Sequence, residues 1–214
     1  MRRFALFLGG PLLVSEALRE RLKGFRFLAA DSGGRHALAL GFTPEVWLGD
    51  FDSSPPWLQE ALAAPKEVLP REKDLTDGEA LLRKALALGA EEVLLLGGIG
   101  GRLDHTLAHL ALAFALAERG VRVALTDGLT WAYPLLPGEH AFPLGAGTPF
   151  SLVPFLEATL ALEGARFNLP PTPLAATTRT LENEALGEVR VVVLAGRAVL
   201  YVYEPGQTHV RLDE

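Results

Sequence analysis

Two aspartates stand one residue apart in Gly49–Asp50–Phe51–Asp52–Ser53. The apolar run Val46–Trp47–Leu48 before them reads as a short buried strand. Ser54–Pro55–Pro56 after them reads as an N-cap followed by first-turn prolines of a helix. Two carboxylates held in a turn at the carboxyl end of a strand make an oxygen-donor pair suited to a hard cation such as Mg²⁺. They lie where open α/β sheets place their ligands. The plainer reading is an Asx-turn with a helix cap, and what favours the metal is that similar groups recur along the chain.

Thr76–Asp77–Gly78–Glu79 is a capping box, with Asp77 in the helix's first turn. Capping explains neither Lys73 nor Asp74 just before it; a lysine there suits a phosphate oxygen, and Asp74 or Asp77 a metal. Four glycines (Gly97, Gly98, Gly100, Gly101) and Arg102 lie between an apolar strand and a long helix. Such a loop frees backbone N–H groups to face an anion, and Arg102 adds a fork that fits phosphate. No Lys–Ser/Thr follows, so this is not a Walker A loop. It is also out of register with G-x-G-x-x-G, which disfavours a nicotinamide cofactor. Asp104 and His105 open the following helix. His109, four residues on, reads as a packed histidine. Asp31–Ser32–Gly33–Gly34 ends another strand in the same manner.

The elements that must position these groups alternate. Strands are expected at Phe4–Leu8, Phe25–Ala30, Val46–Leu48, Glu92–Leu96 and Val121–Leu125, with helices between them. Short buried strands alternating with helices predict an α/β domain over residues 1–127, a parallel, Rossmann-like sheet with helices on both faces. Beyond it the helical period disappears. Short β-rich pieces at Thr130–Leu135, Phe150–Phe155, Thr159–Leu162, Glu188–Leu194 and Arg197–Tyr203 predict a smaller all-β sandwich over 128–214.

Composition bounds the chemistry. The 214 residues include no cysteine, which removes disulfides, thiolate catalysis and cysteine-ligated zinc. A net charge of −6 argues against a nucleic-acid footprint, and would repel a nucleotide polyphosphate unless a divalent cation intervened. No apolar run is long enough to span a bilayer, and a cytoplasmic protein is the expectation.

With Asp31–Ser32–Gly33, Gly49–Ser53, Lys73–Asp77 and Gly100–His105 in this order, the chain resembles the thiamine pyrophosphokinases. That family carries Asp-x-Gly, Gly-Asp-Phe-Asp-Ser, Lys-Asp-x-Thr-Asp and Gly-Gly-Arg-x-Asp-His. The resemblance implies a homodimer of two-domain chains that transfers diphosphate from ATP to the hydroxyl of thiamine, with Mg²⁺, releasing AMP. It implies Asp50, Asp52 and Asp74 as metal ligands, with Asp77 and Asp104 supporting them. Asp31, Gly33, Lys73, Arg102 and the Gly97–Gly101 backbone would face the nucleotide, with His105 or an aspartate available as base. In the β-rich part the family's Ser-Asn stands as Glu182–Asn183, with Thr180 nearby, so thiamine contacts are expected there. Two alternatives fit the same motifs: a pyrophosphokinase acting on a hydroxymethyl pterin, and a nucleotide- or thiamine-binding module without catalysis.

Overall fold

The computed structural model describes residues 1–70 and 74–204. The chain divides into two compact units, Met1–Gly128 and Leu129–Glu214.

In the first unit, β1 (Arg3–Phe7), β2 (Arg26–Ala30), β3 (Val46–Gly49), β4 (Lys66–Val68), β5 (Glu92–Leu96) and β6 (Arg122–Thr126) alternate with five helices. These are α1 (Glu16–Arg21), α2 (Gly34–Leu40), α3 (Pro56–Ala61), α4 (Asp77–Ala87) and α5 (Leu103–Glu118). The strands lie in the order β4-β3-β2-β1-β5-β6, and each neighbouring pair is parallel. β1 is the pivot: the chain steps outward from it through β2, β3 and β4, then returns to its other side with β5. Ligands bind above such a reversal of strand order, at the carboxyl ends of the strands. The apolar strand residues are the core, and Phe4, Leu6, Phe7, Leu28, Trp47 and Leu95 are fully buried.

Local signals account for several helix ends. Ser15 Oγ accepts from Leu18 N–H at 3.1 Å and starts α1, and Thr76 Oγ1 accepts from Glu79 N–H at 3.2 Å and starts α4. Gly41, at φ 74°, closes α2 in the left-handed conformation an L side chain disfavours. The start of α3 departs from expectation. Pro55 is the cap residue, no side chain caps the helix, and Ser54 is buried instead.

The second unit contains β7 (Thr130–Leu135), β8 (Gly138–Pro143), β9 (Pro149–Ala165), β10 (Leu169–Ala175) and β11 (Asn183–Tyr203). Within it the order is β10-β9-β11-β7, and β8 also pairs with β11. The pieces expected at Phe150–Phe155 and Thr159–Leu162 are parts of the single long strand β9, and those at Glu188–Leu194 and Arg197–Tyr203 are parts of β11. Both β8 and β10 lie outside the sequence expectation. β10 was hidden because Leu169–Pro170–Pro171–Thr172–Pro173 does not read as a strand. Proline cannot donate to a ladder, but an edge strand tolerates it, and β10 is an edge strand of this unit.

Candidate active site

A cleft of about 620 Å³ opens at the carboxyl ends of the first unit's strands. Four strand exits line it: Gly9–Gly10 after β1, Asp31 after β2, Asp50 after β3 and Gly97–Gly98 after β5. Asp77 and Gly78 from the first turn of α4, and Arg102, His105 and His109 at the start of α5, complete the wall.

One side of the cleft is acidic. Asp31 begins a 3₁₀ turn with φ 41°, and Phe51 has φ 62°. Neither is glycine, and non-glycine residues in this region gather where function requires a strained backbone. The two are joined, since Phe51 N–H donates to Asp31 Oδ1 at 3.0 Å, while the Trp47 indole N–H donates to the Asp31 carbonyl at 2.8 Å. Gly49 makes room for this. Its φ is 152°, and a Cβ there would stand 1.9 Å from Asp31 Oδ1. Asp50 Oδ1 in turn accepts from Asp52 N–H at 3.0 Å, the Asx-turn expected of this sequence.

Burial pushes the Asp31 carboxyl up to about 7, a hydrogen bond with the Asp77 carboxyl adds to this, and the Phe51 N–H opposes it. Asp31 thus holds its proton more firmly than a free carboxyl, with Asp77 and Asp50 beside it. An acid held above its ordinary value stabilises the fold fully below that ordinary value, near 3.8, and loses this contribution as pH rises towards 7. Without divalent cation, Asp31→Asn should therefore melt higher than the wild type at pH 8, with the gap shrinking at pH 5. Buried His36 and His109, whose pKa values burial lowers, act in the opposite sense but equally in both proteins. Melting curves at the two pH values check this, and a wild type more stable than the variant at pH 8 would sink it.

The facing side is a backbone surface. Among the described residues, no hydrogen bond is donated within the chain by the N–H groups of Gly9, Gly10, Gly98, Ile99, Gly100 or Gly101. Buried backbone donors are nearly always satisfied, and Gly98 and Ile99 are buried. Such a set of N–H groups fits an anion. Arg102 lies beside it as the cap residue of α5. Its guanidinium grips Asp104 through Nε to Oδ1 at 3.1 Å and Nη2 to Oδ2 at 2.5 Å. That grip holds the Asp104 carboxyl down at about 2. Two of five guanidinium donors are thereby engaged and three are left.

The expected residues therefore divide. Asp31, Asp50, Asp77, Gly97, Gly98, Gly101, Arg102 and His105 line one cleft. Asp52 and Asp74 are exposed beside it, and Asp104 is exposed and paired with Arg102. Gly33 is buried against the carboxyl end of β1, where a Cβ would meet the Phe7 carbonyl oxygen at 2.2 Å. Gly100 turns at φ 82° against Asp127. Lys73 lies outside the described residues. Among those described, no three acids or histidines form a ready metal cage. The donors present are all carboxylate oxygens, which fits Mg²⁺, an ion usually held by one or two carboxylates together with substrate phosphates.

In the second unit, Thr180 and Asn183 are buried and engaged internally. The Thr180 hydroxyl donates to the Leu152 carbonyl. Asn183 accepts from Phe167 N–H at 3.1 Å and donates to the Phe167 carbonyl at 2.8 Å. Glu182, at φ 55°, is exposed, and its N–H donates to Ser151 Oγ at 3.1 Å. One feature of the first unit, His36, is not singled out by the sequence, whereas Gly9–Gly10–Pro11 after the first strand reads as a turn able to bring backbone close to a ligand, and it lines the cleft.

Comparison with known proteins agrees with the motifs. Residues 24–125 match the family described as "Thiamin pyrophosphokinase, catalytic domain". A thiamine pyrophosphokinase from Bacillus subtilis (strain 168) is 27% identical over 175 residues, 79% of this chain and 82% of the relative. The crystal structure of the thiamine pyrophosphokinase from Bacillus subtilis superposes with a TM-score of 0.84 at 22% identity, covering 94% of this chain and 99% of that one. That of the thiamin pyrophosphokinase from Geobacillus thermodenitrificans gives 0.79 at 26% identity, covering 96% and 99%. The α/β part followed by a β-rich part is thus a fold found in these structures, and the resemblance carried by the four motifs is borne out.

Proposed function

We propose that this chain, whose residues 24–125 match the thiamin pyrophosphokinase catalytic domain, transfers diphosphate from ATP to the hydroxyl of thiamine, giving thiamine diphosphate and AMP. The observation that carries this is the cleft itself, where a wall of Asp31, Asp50 and Asp77 faces two glycine loops with undonated N–H groups. One wall suits a cation and the other the phosphates that bring it.

The loops would hold phosphate oxygens, with Arg102 and Lys73 adding positive charge. Asp50, Asp52 and Asp74 would hold Mg²⁺, which when bound neutralises charge on the phosphates. The thiamine hydroxyl attacks the β-phosphorus, the bond from that phosphorus to the oxygen of the AMP leaving group breaks, and the hydroxyl proton passes to an acceptor on the wall. His105 offers an exposed imidazole there. Transfer of this kind depends mostly on positioning and charge stabilisation. In this reading the first unit is a Rossmann-like nucleotide-binding domain with helices over both faces. The second is a β-sandwich whose Thr180–Asn183 segment, with Glu182 exposed, meets cationic thiamine. The active form is a cytoplasmic homodimer. No helix among the described residues is long and apolar enough to cross a membrane.

Purified protein with ATP and Mg²⁺, offered thiamine or the hydroxymethyl pterin, should release AMP only with thiamine and stop in excess chelator. Turnover of the pterin would favour the first alternative, and nucleotide binding without AMP release the second. AMP release undiminished by chelator would remove the metal.

A further inference from the structure

Two buried histidines take no part in the chemistry above. His36 in α2 is 7% exposed, and His109 in α5 is 9% exposed. His36 Nε2 lies 2.8 Å from the Gly10 carbonyl oxygen, and His109 Nδ1 lies 2.8 Å from the Gly98 carbonyl oxygen. A carbonyl only accepts, so each of these ring nitrogens carries the proton. The two acceptors belong to the two glycine loops that leave the adjacent strands β1 and β5. Arg35, next to His36, treats Gly9 likewise, its Nη2 donating to that carbonyl at 3.0 Å.

We propose that His36 and His109 are positioning residues that turn these two loops into an anion cradle by holding one carbonyl in each. In a trans peptide the N–H points away from the carbonyl. Fixing the Gly98 carbonyl on His109 therefore fixes the Ile99 N–H in the opposite direction, and the Arg35 bond does the same for the Gly10 N–H. A glycine peptide left unheld can rotate and show its carbonyl to the phosphates, which repels them. At Gly10 the following residue is a proline without N–H, so His36 acts only by keeping that carbonyl engaged. His109 also reaches α4. A Cβ on Gly78 would lie 3.3 Å from its Nε2, so the ring that holds the second glycine loop also lies close against the start of the helix that carries Asp77.

This rests on the ATP reading, and the test separates the two. An asparagine amide can place its N–H where histidine Nδ1 stands, and a glutamine amide where Nε2 stands. The dissociation constants of the Mg²⁺ complex of α,β-methylene-ATP, and of inorganic tripolyphosphate, are measured by calorimetry well below each variant's Tm. We expect His109→Asn and His36→Gln to bind both within about threefold of wild type. His109→Gln, His36→Asn and both leucine variants should lose about tenfold or more, the size of one hydrogen bond to a charged group. A merely space-filling role would not distinguish the two amides by position. Should the leucine variants fail to fold, the asparagine–glutamine exchange decides alone. Leucine variants binding within threefold of wild type, or amides that are interchangeable at either site, would overturn the proposal. A wild type that binds tripolyphosphate but not the nucleotide would sink the ATP reading and leave the cradle; binding of neither would sink both.

Discussion

Asp50→Asn is expected to lower kcat/KM for ATP by about two to three orders of magnitude, the scale seen when one preorganised electrostatic group is removed from an active site, while the protein melts no lower than the wild type. The two halves of this expectation have separate causes. Asparagine keeps the Oδ1 that accepts the Asp52 N–H, so the turn survives. Losing the charge also relieves Asp31, whose carboxyl the neighbouring Asp50 helps to hold up. Only the capacity to hold a cation against the phosphates is removed. Thermal melting and steady-state kinetics on the one variant check it. An unchanged kcat/KM would take Asp50 out of the chemistry, and a collapse in Tm would make it a structural residue.

Gly10→Ala should damage both stability and nucleotide binding. A Cβ at Gly10 would stand 2.2 Å from the Gly97 carbonyl oxygen, and one at Gly97 would stand 2.9 Å from the Gly10 carbonyl oxygen. The neighbours are backbone, held by Leu8 N–H donating to the Leu96 carbonyl at 2.9 Å and by the β1–β5 ladder, so neither side yields cheaply. Overpacking of this sort costs about 1–3 kcal/mol, roughly 2–10 °C in Tm for a chain of this size. Prising the loops apart should also weaken ATP binding by about tenfold. Gly145→Ala serves as control, since its Cβ would make only an ordinary 3.7 Å contact with Thr148 Oγ1. Equal melting and equal affinity for the two variants would show that the loops do not depend on their close approach.

Much of the site was legible because its residues are local in sequence. Asp50, Asp77, Gly97 and Arg102 each lie at a strand exit or helix start that the apolar period and the capping residues mark. What escaped was long-range. That Asp31 leans on Asp77, or that a carbonyl of the first loop ends on His36, depends on which strands become neighbours, and no local pattern encodes it. His109 was read as a packed histidine, and it is buried, but its partner in the Gly97–Gly101 loop could be seen only once α5 was placed. Arg102 and Asp104 are the contrasting case, since they lie two residues apart, a pairing between them was within reach of the sequence, and the two do grip one another. In the β-rich part, prolines concealed β10, and long bent strands read as separate short ones.

Those prolines bear on how the protein behaves in crowded solution. A terminal strand offers an unpaired row of N–H and C=O groups, the template on which chains stack into aggregates. In β10, Pro170, Pro171 and Pro173 delete donors from that row, so an incoming strand finds few hydrogen bonds to make. The first unit's outer strand, β4, is blunted differently, being only three residues long and opening with Lys66. Substituting the prolines by valine would raise local β-propensity and at the same time remove a safeguard against association, so a change that looks stabilising by strand preference would be paid back as insolubility.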